Sequence, residues 1–136
     1  MNTNFRSRSH KVMKRTGVVG LAAAGLLAGF SGSAYAASSS AIVYTNGTRA
    51  AEAWFNKSGA SHSGYAWIDL YDAKCDGEPV YVEYKINNGS TTTKWNSGGC
   101  GSTAGFNLQK GSFAIVYRVC VDTFVPTCSP WKADNN

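Results

Sequence analysis

The sequence predicts an all-β domain: a small two-sheet antiparallel sandwich of about seven strands stapled by two disulfides, with a small β-barrel as the alternative closure. Three observations carry that expectation. Helical periodicity is almost absent after residue 36, and short alternating runs rich in β-branched and aromatic residues recur between Gly, Asn and Ser clusters. The part of the chain beyond residue 36 is about 100 residues long, enough for one modest core. Its four cysteines, Cys75, Cys100, Cys120 and Cys128, are even in number in a short exported chain, the pattern of a disulfide framework.

Residues 1–36 read as a secretory signal peptide. Arg6, Arg8, Lys11, Lys14 and Arg15 form a basic start without an acid, GVVGLAAAGLLAGF (17–30) is apolar, and Ala34 and Ala36 flank an A-x-A site. The apolar run is short for a spanning helix, so the expectation is cleavage after Ala36 and no membrane association afterwards. Five of the 13 Lys and Arg residues lie in this leader, and all eight Asp and Glu lie beyond it. The exported part is therefore formally neutral. Its eight basic residues are scattered, which leaves no basic patch and excludes a nucleic-acid partner on composition.

A polar segment follows, residues 37–48 (ASSSAIVYTNGT), read as flexible, with AIVY at 41–44 its one strand-like stretch. A single β domain is expected over 49–136. RAAEAWFN (49–56) is the first strand, ended by KSGASHSG. AWIDLYD (66–72) sets Ala66, Ile68 and Leu70 on one face and Trp67, Asp69 and Tyr71 on the other. PVYVEYKI (79–86) sets Val80, Val82, Tyr84 and Ile86 against Tyr81, Glu83 and Lys85, and the Asp76-Gly77 turn suggests that these two runs form a hairpin. NNGS (87–90) turns the chain into TTTKWN (91–96), and FNLQ (106–109) follows a Gly/Ser-rich stretch. GSFAIVYRVCVD (111–122) is the clearest strand, with Phe113, Ile115, Tyr117, Val119 and Val121 on its core face. Cys120 then points outward, toward a return segment past Pro126. Pairing Cys120 with Cys128, and hence Cys75 with Cys100, is the favoured connectivity, and the other two stay open.

Catalytic material is sparse. His62 lies in a Gly/Ser loop that supplies no frame for a nucleophile–base pair, and no G-x-S-x-G turn is present. Asp69 and Glu83 would lie close together on the outer face of the hairpin, the basis of a small-hydrolase alternative. Turn chemistry accounts for the acids of DAKCDGE (72–78), so neither metal nor cofactor is expected. Recognition surfaces have better material. Trp67, Tyr71 and Tyr81, joined by Trp54, form an aromatic outer face able to stack on sugars or anchor a protein interface. The loop 121–127, clamped by its cysteines and stiffened by Pro126, presents Phe124 and Val125 as an inhibitor would.

The runs LYDAKCDGEPVYVEY (70–84) and YRVCVDTFVPTCSPW (117–131), in that order, resemble small secreted proteins of actinomycetes. The resemblance implies a compact, disulfide-bonded β-sandwich released from the cell, and it brings no site residues with it. Some small β-proteins of such bacteria are adaptors in secreted assemblies, and AIVY is a segment that can add to a partner as a strand. The expectation is therefore a secreted, extracellular, non-enzymatic binding module. A protein partner is favoured over a glycan, and a protease or glycosidase inhibitor using 121–127 is the alternative.

Overall fold

A computed structural model describes residues 39–136; the leader read over 1–36 lies outside the described residues. Nine strands form: β1 (Ser39–Thr45), β2 (Thr48–Asn56), β3 (Tyr65–Asp72), β4 (Val80–Ile86), β5 (Thr92–Asn96), β6 (Thr103–Lys110), β7 (Ala114–Val121), β8 (Thr127–Cys128) and β9 (Lys132–Asn135). One sheet runs β1-β2-β3-β6, and the other runs β5-β4-β7 with both β8 and β9 paired to β7. All pairings are antiparallel. The arrangement is a sandwich, and the barrel alternative falls because the sheets do not close on one another.

Of the segment 37–48 read as a flexible lead-in, the described residues from 39 onward are built into the sheet. Residues 39–45 are β1, an edge strand laddered to β2 from Ser39↔Phe55 to Thr45↔Thr48. The reason is the turn between them. Asn46 (φ 52°) and Gly47 (φ 74°) both take left-handed conformations, and two such residues match the twist of a tight hairpin. The β domain thus begins ten residues earlier than expected, and AIVY is used inside the chain's own sheet, with no strand laddered to its other edge among the described residues.

A second expectation also fails. β3 and β4 are not a hairpin but belong to opposite sheets, and residues 73–79 carry the chain across the sandwich. Alternation assigns a face to each strand, but two strands in opposite sheets alternate as well as two neighbours do. The β5–β6 connection crosses in the same way, and the Cys75–Cys100 disulfide ties these two crossings together.

The core lies between the sheets. Ala66, Ile68 and Leu70 of β3 meet Val80, Val82 and Tyr84 of β4, and Ile115, Tyr117, Val119 and Val121 of β7, as alternation predicts. β2 contributes small residues, Ala51 and Ala53, beside one large one. The Phe55 ring lies 6.2 Å from Phe113 and 6.3 Å from Tyr117. A fully buried side chain such as Leu70 contributes about 1.5–3 kcal/mol relative to exposure. Tyr117 is large and wholly buried, and its hydroxyl is bonded to Ser39 Oγ at 2.9 Å.

The last strand is broken in two. Pro130 has no N–H to donate, so the ladder along β7 cannot run unbroken from β8 into β9. Ser129 fills the gap: its N–H donates to Val119 O at 2.9 Å and its Oγ accepts from Val119 N at 3.1 Å. Cys120 sits opposite Cys128 in the β7–β8 register, and the two are disulfide-bonded.

Candidate functional site

Four features hold the chemistry. The aromatic row read from the sequence is split between two of them, because β3 and β4 lie in different sheets. Trp54, Trp67 and Tyr71 share the outer face of the β1-β2-β3-β6 sheet, whereas Tyr81 is on the outer face of the other. Asp69 and Glu83 are separated with them, each on its own outer face with the core between. The proximity that the hydrolase alternative required is gone.

On the first face the register sets Trp54 beside Asp69, and Asp69 beside Gly105 of β6. Asp69 is the hub. Its Oδ2 accepts from Asn56 Nδ2 at 3.1 Å and from Trp67 Nε1 at 3.0 Å. Trp67 is buried because His62, on a single 3-10 turn (Ala60–His62), stacks flat upon it with ring centroids 3.8 Å apart. His62 Nδ1 in turn is bonded to Asn107 Oδ1 of β6 at 3.0 Å. The sequence treats His62 as a loop residue, and only the return of the chain into β3 brings it over Trp67. Trp54 and Tyr71 are half-buried and adjacent, with centroids 6.2 Å apart. Arg49 lies 5.4 Å from the Tyr71 ring centre and is paired with Glu52 at 2.7 Å.

The opposite outer face is a second aromatic cluster. Tyr81 packs on Trp95 at 4.5 Å, and Trp131 lies 4.7 Å from the Arg118 guanidinium. Arg118 is bonded to Glu83 at 2.7 Å. Tyr81 is largely covered, and burial pushes its phenol above the ordinary value.

At the end of this sheet stands the clamped loop 121–127. Phe124 is in solvent at 104 % relative exposure and Val125 at 72 %, with Pro126 also exposed. The loop is held at its base by Cys120–Cys128 and by the Asp122 N–H, which donates to Pro79 O at 2.8 Å. Inside it, the Thr123 hydroxyl donates to Val125 O at 2.5 Å.

Sequence reading misses the fourth feature, an open cleft of about 470 Å³ beside the Cys75–Cys100 bridge, lined by Asp72, Lys74, Glu78, Pro79 and Asn96. Asp72 is buried there, which raises its pKa, although the Lys74 backbone N–H partly offsets the effect. Lys74 holds Asp76 at 3.1 Å and pulls that carboxyl below its ordinary value. The Asp-rich turn was the available signal. Folding around the disulfide, rather than spacing, makes it a cleft.

Among the described residues no helix is long and apolar enough to cross a membrane. No family model, curated protein or solved structure matches the chain. Fold and site together define a disulfide-stapled β-sandwich with two aromatic faces and a projecting, clamped apolar loop, and its disulfides suit an oxidising compartment.

Proposed function

We propose that the protein is an exported, non-enzymatic binding module that docks to a protein partner by inserting the tip of the clamped loop, Phe124 and Val125, into an apolar pocket. The observation that carries this reading is the complete exposure of an aromatic ring on a loop fastened by a disulfide. Such a ring gains nothing for the fold, since it buries no area on folding. Its area is still available to a partner, and the clamp reduces the ordering entropy lost on association. Asp122 is the one charged residue in the loop, so the complementary pocket is apolar. The leader and the paired cysteines support export. The resemblance to small actinomycete β-proteins supports export as well, and brings no activity with it.

Burying a phenylalanine is worth about 1.5–3 kcal/mol, which corresponds to about 10- to 100-fold in affinity. Binding of partners captured from culture supernatant is to be compared for the wild-type protein and Phe124→Ala by surface plasmon resonance. A loss of that size in the off-rate is expected. An unchanged off-rate for every captured partner refutes the loop as the contact.

One observation favours a second reading. The Thr123–Val125 bond and the disulfide together stiffen the loop in the way a protease inhibitor requires. Inhibition of one member of a panel of extracellular proteases, lost in Phe124→Ala, identifies this case, and no inhibition anywhere in the panel removes it.

A further inference from the structure

On the outer face of the β1-β2-β3-β6 sheet, we infer a pyranoside-binding subsite centred on Asp69, with Trp54 as its stacking platform, for a neutral, hydroxyl-rich glycan chain. The inference is independent of the loop, which belongs to the other sheet.

Asp69 does not behave as an incidental surface acid. Both of its bonds fall on one oxygen: Asn56 and Trp67 donate to Oδ2, which fixes the carboxylate plane. The other oxygen, Oδ1, faces the position of Gly105, the residue directly opposite on edge strand β6. Glycine weakens a strand interior, so its presence there calls for a local reason. A Cβ at Gly105 would stand 3.3 Å from Asp69 Oδ1 and would fill the space that oxygen faces. Without it, β6 has a notch, with Thr103 and Asn107 on the same face at either side and Asp69 at its inner wall.

The second element is the aromatic wall. Trp54 is in register with Asp69 on the far side from Gly105, so ring, carboxylate and notch form one row across the sheet. Tyr71 leans against Trp54 at 36° and steadies it. A sugar ring offers an apolar C–H face and a rim of hydroxyl donors, and this row offers a π surface beside a fixed acceptor. An ionised carboxylate only accepts, so the ligand must donate, as vicinal hydroxyls do. It also repels anions, which sets acidic glycans aside. The cations nearby are engaged: Arg49 by Glu52 and Tyr71, and Lys110 of β6 by the Tyr65 ring, 4.7 Å from its centre.

The experiment uses the full secreted chain, retained on insoluble cellulose, chitin, starch and mannan, and titrated with the matching neutral hexasaccharides while tryptophan fluorescence is followed. Retention on at least one polysaccharide is expected, weakened about ten-fold or more in Trp54→Ala and in Asp69→Ala. Because Asp69→Ala also removes two internal bonds, Gly105→Val is the decisive variant. It raises strand propensity and obliges Asp69 Oδ1 to give by a few tenths of an ångström; with a circular dichroism spectrum matching wild type, it is expected to abolish retention by filling the notch. A folded wild-type protein that no polysaccharide retains overturns the inference, and so does retention that survives both Gly105→Val and Trp54→Ala. Weakened capture of a protein partner by those two variants, with no glycan bound, assigns the face to protein recognition and also overturns it. Loss of glycan retention leaves the loop reading standing, and an inert Phe124 leaves this one standing.

Discussion

Asn96 gives the sharpest test of how the sandwich is held together. It is 6 % exposed at the end of β5, yet its bonds reach across to the other sheet. Its Nδ2 donates to Leu70 O of β3 at 3.1 Å and to Ser102 O at 2.9 Å, and its Oδ1 accepts from Gly98 N at 2.9 Å and from Ser102 Oγ at 3.0 Å. Asn96→Ala removes all four and leaves the Leu70 carbonyl in the interior without that donor. At a net 0.5–1.5 kcal/mol for each bond, the expected loss is about 4 kcal/mol, a large share of the 5–15 kcal/mol typical of a whole domain. Asn96→Asp distinguishes loss of bonds from loss of volume. It keeps the acceptor for Gly98 but turns an acceptor toward two carbonyls. At neutral pH it is expected to be at least as destabilised as the alanine variant, and to recover in part in acid, where the protonated carboxyl donates again. Urea unfolding followed by tryptophan fluorescence reads both, with the m-value checked for constancy. A loss below about 0.5 kcal/mol in Asn96→Ala would show that water replaces the side chain and that the cross-sheet link is idle.

Four further outcomes are expected. Replacing Cys75 and Cys100 removes a longer closure than replacing Cys120 and Cys128; the chain-entropy relation gives about 3.5 and about 2.6 kcal/mol, and equal or reversed losses in urea contradict it. Cys75 and Cys100 are exposed whereas Cys120 is fully buried, so limited dithiothreitol followed by alkylation and mass mapping is expected to label the first pair first. Burial raises the phenol pKa of Tyr81, Tyr84 and Tyr117, so the folded state keeps protons that the unfolded chain releases. Their stabilisation is complete below the ordinary tyrosine value near pH ~10 and is lost as pH rises through the folded values; a urea midpoint flat from pH 8 to about 11 would dispose of this. Burial likewise raises Asp72, whose contribution is present below the ordinary carboxylate range and lost above it. Asp72→Asn is therefore expected to be more stable than wild type at neutral pH and level with it near pH 3, and the opposite ranking in thermal melts would exclude burial as the cause.

Much of this fold is legible in the chain because period-two patterning acts locally. The odd positions from Phe113 to Val121 are buried as read, and the outward placement of Cys120 carries its pairing to Cys128 with it. What alternation does not encode is which sheet a strand joins. The turn at Asp76-Gly77 suits a hairpin or a crossing equally, so pattern alone sets Tyr81 and Glu83 beside Trp67 and Asp69, whereas the fold carries them to the opposite side. β1 was legible: Asn46-Gly47 between apolar runs is a strong hairpin signal, outweighed by the serines ahead of it. Asn96 and His62 act through partners that only the folded chain brings near, Leu70 for one and Trp67 for the other. No local pattern announces either.

Both disulfides also determine what a cut in the backbone can do. A protease that severs one peptide bond between Cys75 and Cys100 opens the β4–β5 excursion but frees no fragment, because the ends remain joined through sulfur. The same holds for the projecting loop: a break beside Phe124 leaves its two new termini held at Cys120 and Cys128, across a ladder pair from one another. A cut at the exposed tip of this loop thus leaves the mass nearly unchanged and separates no fragment, so the disulfide turns a break in the chain into a nick.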